Sequence, residues 1–272
     1  MQSEKLCDTN IFVGIDLTEF ECGEAYAGDY PAALASLQYR LAQLQLAQIT
    51  HRRRALVIFE GWVGAGKRSV LKRLVASWDP CHLSTRCVPS AIENMDDRHW
   101  LAPFWSALPP AGDTTIFYNS WYCRLVEERL AGRADDKRWS RACDEINEFE
   151  AQQRDHGTVI VKLFFHVSAE VHAARLAAVQ ADPWRRHLIT DEELAGVAQR
   201  ERTMPIFHDM FAQTDTRWAP WRVINSNDLH AARIAALEAM VETMTKALPA
   251  EPPAETAQIV EFSLVRPNQR SG

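Results

Sequence analysis

Two kinds of apolar pattern alternate along this chain. Short, largely apolar runs at Ala55–Phe59, Thr114–Phe117, Thr158–Phe165 and Trp221–Ile224 lack period-two alternation. Strands read this way when both faces of a parallel sheet are covered. Between them lie stretches of helical periodicity. In Tyr30–Arg54, Leu34, Leu37, Leu41 and Leu44 recur at helical spacing, and Ser69–Trp78, Ser120–Leu130, Ala142–Arg154, Ala169–Ala181 and His230–Leu248 follow. Strands alternating with helices predict βαβ units and a three-layer α/β fold, a parallel sheet flanked by helices. Residues 182–218 interrupt the alternation with an arginine-rich helical insertion, read as a lid. Residues 1–30 show no period and are expected to form an irregular arm. Pro249, Pro252 and Pro253 mark 249–272 as a flexible tail beyond a single domain over 1–248.

The first strand runs into Phe59-Glu60-Gly61-Trp62-Val63-Gly64-Ala65-Gly66-Lys67-Arg68-Ser69. A G-x-x-x-x-G-K pattern between a strand and a helix is a phosphate-binding loop. Gly61, Gly64 and Gly66 let the backbone curl so that successive N–H groups converge on an anion, with Ala65 inside the same curl. The helix that follows contributes its positive end, and Lys67 a cation expected to stand exposed at the mouth. In a standard loop of this kind a Ser or Thr follows the lysine and ligates Mg²⁺. Arg68 occupies that position, with Ser69 one residue later.

Composition narrows the reading. The net charge of -6 is opposite to the basic excess of a broad nucleic-acid surface, so no nucleic-acid partner is expected. The apolar run Val159–Phe165 is broken by Lys162 and too short to span a bilayer, so no membrane association is expected. Met1–Lys5 lacks the basic-then-apolar pattern of a leader, which predicts a cytoplasmic protein. The six cysteines form no C-x-x-C pair and read as buried or half-buried thiols.

Several segments resemble the polyphosphate kinase 2 family, which moves phosphoryl groups between inorganic polyphosphate and nucleotides. Ile116–Arg124 is similar to the family's Walker-B stretch F-D-R-S-W-Y-N-R, and Glu145–Glu150 with Asp155–Thr158 to its E-I-N-x-F-E…D-G-T run. Lys162–Ser168 matches its K-F-x-x-H-I-S strand, Asp182-Pro183 with Arg186 the opening of its lid, and Thr214–Thr216 with Ala219–Trp221 its T-x-T…A-P-W approach. The resemblance covers about Tyr30 to Met240. It implies a P-loop kinase-like fold, polyphosphate and nucleotide as partners, Mg²⁺ as cofactor, and dimers or tetramers with Tyr30–Arg54 as a contact helix. It also implies catalytic roles for Lys67 and Arg124, a phosphate site at Gly61, Gly64, Ala65, Gly66, Lys67, Arg68 and Ser69, and polyphosphate contacts from Arg185 and Arg186.

The chain departs from the family pattern where metal is held. The family's loop aspartate is Val63 and its Walker-B aspartate is Tyr118, and neither replaces a hard-cation carboxylate. Its loop Arg is Trp62, the Arg before Ser is Asn119, and a lid Lys is Leu188. Similar losses mark the non-catalytic N-terminal half of the duplicated members. Two functions therefore stand open: a polyphosphate:nucleotide phosphotransferase, and a catalytically silent phosphate-binding module. A generic ATP-dependent P-loop kinase ignores the matches after residue 140. Glu60, Asp113, Glu127 and Glu128 are either substitute metal ligands or solvated charges. Arg124, Arg175, Arg185, Arg186, Arg200 and Arg202 line either a polyanion channel or an exposed helix. Trp121 and Tyr122 are expected to pack beneath the loop, and His166 to be a satisfied core histidine.

Overall fold

The computed structural model describes residues 14–87, 99–189 and 198–253, together with Leu194. Five parallel strands, β1 Ala55–Gly61, β2 Leu83–Cys87, β3 Thr114–Tyr118, β4 Val159–His166 and β5 Trp221–Asn225, form one sheet in the order β2-β3-β1-β4-β5. The predicted fold class holds. Sequence patterning missed only β2, whose Leu83-Ser84-Thr85-Arg86-Cys87 is half exposed and carries no apolar run. It is an edge strand held by its ladder to β3, so packing never demanded one.

The helices are α1 Tyr30–Thr50, α2 Lys67–Val75, α3 Ala102–Trp105, α4 Trp121–Leu130, α5 Asp136–Asp155, α6 Ala169–Ala181, α7 Arg200–Thr214 and α8 Leu229–Ala247. One layer is built from α1, α2 and α8, another from α4, α5 and α7. Within the predicted insertion, Arg185–Leu188 form an exposed 3-10 turn. By contrast, α7 buries Phe207, Met210 and Phe211 in the core, so residues 200–214 belong to the body of the domain. The tail from residue 254 lies outside the described residues.

From β1 the chain crosses toward β2, and from β4 toward β5. The crevice of such a sheet opens at the carboxyl ends of those two central strands. Of the expected irregular arm, residues 14–29 are described; they carry a 3-10 turn at Leu17–Phe20 and dock there, and residues 1–13 lie outside the described residues. Leu17 is fully buried, and the Asn225 and Asn227 side chains donate to the carbonyls of Phe20, Glu21 and Cys22. Cys22, Cys81 and Cys87 are exposed, contrary to the expectation, whereas Cys143 is buried.

All eight residues of β4 are buried, including Lys162. Its Nζ donates to Glu150 Oε2 (3.0 Å), the Tyr122 hydroxyl (3.1 Å) and the Thr214 carbonyl (2.8 Å). Glu150 Oε1 accepts from the Tyr122 hydroxyl (2.6 Å) and Trp121 Nε1 (3.2 Å). Burial pushes the Lys162 pKa down, against the pull of Glu150. The pair ties β4 to α4, α5 and the end of α7. Lys162→Met leaves Glu150 buried without a counter-ion and is expected to cost about 3–5 kcal/mol in urea unfolding. Adding Glu150→Leu is expected to recover part of that loss; a double variant no more stable than the single one contradicts this account.

Candidate active site

The loop sits where β1 meets α2. Gly61 has φ 110°, and a Cβ there would lie 2.2 Å from the Phe165 carbonyl oxygen of β4. Gly66, at φ 96°, is the N-cap of α2, and its Cβ would lie 2.7 Å from Leu229. Only glycine fits both the backbone sign and the space. The curl is closed by bonds from Trp62 N–H to the Phe165 carbonyl (3.3 Å) and from Ala65 N–H to the Trp62 carbonyl (3.2 Å). The N–H groups of Ser69 and Val70 donate to the Gly66 carbonyl (2.8 and 3.2 Å), which leaves those of Lys67 and Arg68 at the open end of α2.

Lys67 departs from its expected place at the exposed mouth: it is 4% exposed. Its Nζ donates to the Gly61 carbonyl (2.7 Å) and to Asn119 Oδ1 (3.0 Å), and lies 5.4 Å from the centre of the Tyr118 ring. The ammonium bonds its own loop and the end of β3, and so sets the width of the crevice. Arg68 is exposed, with its guanidinium 5.8 Å from the same ring. The Ser69 hydroxyl accepts from Arg233 Nε (2.9 Å) and Nη2 (2.7 Å), while Arg233 Nη1 donates to the Tyr30 hydroxyl (3.2 Å). Ser69 therefore directs its hydroxyl to α8, leaving its backbone to the loop.

Past β3 the backbone turns left-handed at Asn119, φ 64°, a conformation asparagine tolerates better than most residues. Ser120 then caps α4, its hydroxyl accepting from Tyr122 N–H. Glu60 Oε1 accepts from both Ser120 N–H (2.5 Å) and the Ser120 hydroxyl (2.7 Å). Glu60 is buried rather than solvated, and burial raises its pKa against the opposing influence of Lys67 and Ser120. Asp113 pairs with His82 (2.7 Å), and Glu128 with Arg133 (3.2 Å) and Arg138 (3.4 Å). Among the described residues no cluster of three or more His, Cys, Asp or Glu side chains could hold a metal. The residues at the loop do not fit a divalent cation held as P-loop enzymes hold it. Arg68 and Tyr118 replace the hydroxyl and the carboxylate, Ser69 is engaged by Arg233, and Glu60 is engaged by Ser120.

The tip of the loop is braced from behind. Trp62 is buried; its Nε1 donates to His166 Nδ1 (3.2 Å), so that ring's Nε2–H donates to Glu21 Oε1 (3.0 Å). Arg200 covers Trp62 with its guanidinium 4.5 Å from the ring centre, and donates to Glu21 Oε1 (2.9 Å) and the Val167 carbonyl (2.7 Å). His172 Nε2–H donates to the Val63 carbonyl (2.6 Å). Burial lowers the His172 pKa to about 4 despite that bond, with Arg200 and Arg175 adding repulsion. Burial also lowers His166, against the pull of Glu21. Burial pushes the Glu21 carboxyl up, but hydrogen bonds from Arg200 and His166 outweigh it and hold its pKa below the usual value. His166 is the satisfied core histidine the sequence predicts.

The arginines expected as one set divide. Arg200 is drawn into this brace, Arg175 donates to the Asn227 carbonyl (2.9 Å), and Arg202 bonds Gln199 (2.8 Å). Arg124, on the first turn of α4, lies half-buried over Trp100, 6.0 Å from the ring centre. Arg185 and Arg186 remain exposed on the 3-10 turn, Arg185 beside Asp182 (3.3 Å). Trp121 and Tyr122 pack in the core as expected. Asn119, Glu21, His172 and Arg233 escaped sequence reasoning as site residues. Arg233 alone left a signal, as a lone cation in the apolar run Ala231–Ala236. Glu21 and Asn119 act through partners 179 and 52 positions away, beyond local pattern.

A parallel sheet with a glycine loop, lysine and helix N-terminus at the carboxyl end of its central strand is the architecture of a P-loop α/β protein. The polyphosphate kinase 2 family model matches residues 25–252, and the chain belongs to that family. The polyphosphate:AMP phosphotransferase of Acinetobacter johnsonii is 34% identical over 228 residues, covering 84% of this chain and 47% of that protein. The GDP-polyphosphate phosphotransferase of Mycolicibacterium smegmatis is 30% identical over 212 residues, covering 78% of this chain and 75% of that one. The crystal structure of polyphosphate kinase 2 from Arthrobacter aurescens TC1 superposes with a TM-score of 0.80 at 25% identity, covering 92% of this chain and 89% of that one. The chain spans about half the length of the polyphosphate:AMP phosphotransferases it matches.

The brace makes a pH prediction. The folded His172, with its pKa near 4, binds fewer protons than the unfolded side chain near 6.5. Its contribution to stability is present above pH 6.5 and lost as pH falls toward 4. Between about pH 7 and about pH 5 the wild type is expected to lose about 1–2 kcal/mol more stability than His172→Gln, which keeps an N–H for Val63. Equal losses in urea unfolding at the two pH values would contradict this assignment.

Proposed function

We propose that this domain transfers a phosphoryl group between inorganic polyphosphate and a nucleoside mono- or diphosphate. The observation that carries the proposal is the intact loop, Gly61 to Lys67, at the carboxyl end of β1 in a chain that the family model matches over residues 25–252. Relatives named for AMP and for GDP transfer leave the acceptor to be measured. In the transfer, an acceptor phosphate oxygen attacks the phosphorus while the bond to the departing phosphate oxygen breaks. The electron pair leaves with that oxygen, so negative charge must be neutralised on both sides. Loop N–H groups and the α2 terminus cradle the phosphate, and Lys67 presents its third donor to a bridging oxygen. In this reading Arg124 of α4 contributes charge to the reacting phosphates, and Arg185 and Arg186 hold the polyanion by bidentate bonds.

Among the described residues no helix is long and apolar enough to cross a membrane. With exposed free thiols at Cys22, Cys81 and Cys87, this supports a place in the reducing cytoplasm. The test incubates the protein with polyphosphate and each of AMP, ADP and GDP, with Mg²⁺, with Mn²⁺ and with chelator. Nucleotide product is expected, and Lys67→Ala is expected to lower turnover by about 100-fold or more, the scale of losing one preorganised donor. Because Lys67 is buried, the variant's unfolding midpoint is measured alongside. No product under any condition assigns the chain a binding role instead.

A further inference from the structure

Besides Val63 at the loop carboxylate position, two further positions that hold metal in a standard P-loop site carry a complementary pair here. The residue after the loop lysine supplies a permanent cation, Arg68, instead of a hydroxyl ligand. The last residue of β3 supplies an aromatic face, Tyr118, instead of a carboxylate. Lys67 Nζ and the Arg68 guanidinium lie 5.4 Å and 5.8 Å from the centre of that one ring. A ring face attracts cations through its quadrupole without cancelling their charge, whereas a carboxylate here would pair with both and cancel it.

No salt bridge supplies that cancellation. Among the described residues no ion pair engages Lys67 or Arg68. Glu60 makes no salt bridge with Lys67: it is buried, burial raises its pKa against the pull of Lys67, and its Oε1 accepts from Ser120. Lys67 makes its hydrogen bonds to neutral acceptors, the Gly61 carbonyl and the Asn119 amide. Two cations held together on neutral partners, beside loop glycines and a helix N-terminus, keep their positive potential for an external anion.

We propose that Arg68 stands in for the divalent cation, so that this loop binds the oxygens of a phosphate chain with Lys67 and Arg68 as its charge and without a metal ion. The inference rests on reading the loop as the phosphate site. A guanidinium suits the substitution, because it is always charged and grips two phosphate oxygens at once. It also explains why Tyr118 and Arg68 occur together: either change alone leaves half a metal site or an uncovered cation.

Calorimetry with inorganic tripolyphosphate tests this directly. The wild type is expected to bind in EDTA. Arg68→Gln, at an exposed position where folding is little affected, is expected to weaken that binding by about 10-fold or more without rescue by millimolar Mg²⁺. Tyr118→Asp is expected to weaken binding in EDTA and to make it respond to Mg²⁺. Wild-type binding that appears only with Mg²⁺, or an Arg68→Gln variant that binds as tightly as the parent, overturns the proposal. Turnover measured on the same samples separates the two readings. Binding in EDTA with no nucleotide product sinks phosphoryl transfer and leaves this inference standing. Product formation with strictly Mg²⁺-dependent binding does the reverse.

Discussion

A buried ammonium at the centre of the innermost layer constrains much of this molecule. Lys162 lies in a strand with no exposed residue, and a charge in that setting is tolerable only when fully partnered. Glu150 from α5, Tyr122 from α4 and the Thr214 carbonyl at the end of α7 supply the partners. Each is thereby held at a fixed distance from the sheet. The consequence reaches the site through α4. Tyr122 and Trp121, pinned to Glu150, orient the first turn of that helix. Ser120, its cap, meets Glu60 at the end of β1, and Asn119, one residue earlier, meets Lys67. The crevice is thus set by a polar network on one face of the sheet, not by the loop alone.

The site itself is organised around cations whose partners are neutral. Carbonyl, amide and ring hold Lys67 and Arg68 in position. Behind the loop the logic is inverted. There Glu21, brought in by the docked N-terminal arm, neutralises Arg200 so that a guanidinium can sit over buried Trp62. The back of the loop is closed by a charge-balanced cluster, while Lys67 and Arg68 at its front make no salt bridge among the described residues.

The alternation of largely apolar runs with helical periods was enough to read the parallel sheet, because strands covered on both faces are near-continuously apolar and lack a period of two. The glycine loop was equally legible, since its backbone demands recur wherever a curl of N–H groups faces an anion. The losses at Val63 and Tyr118 could also be read directly, because a hard cation needs carboxylates and these residues carry none. β2 was not legible, because a half-exposed edge strand needs only a neighbour and no pattern of its own.

Tertiary structure alone decided what the charged residues do. Lys67, Glu60, Arg175 and Arg200 all read as mouth, surface or channel residues, and all proved to be buried or internally bonded. A charged side chain carries no local sign of whether its counterpart lies 52 residues away, as Asn119 does from Lys67, or 179, as Glu21 does from Arg200. Local propensity and period determine which elements form and where a phosphate can sit. The pairing of charges in a low-dielectric interior depends on which distant segments the fold brings within hydrogen-bond reach, and that is settled only when the chain has closed on itself.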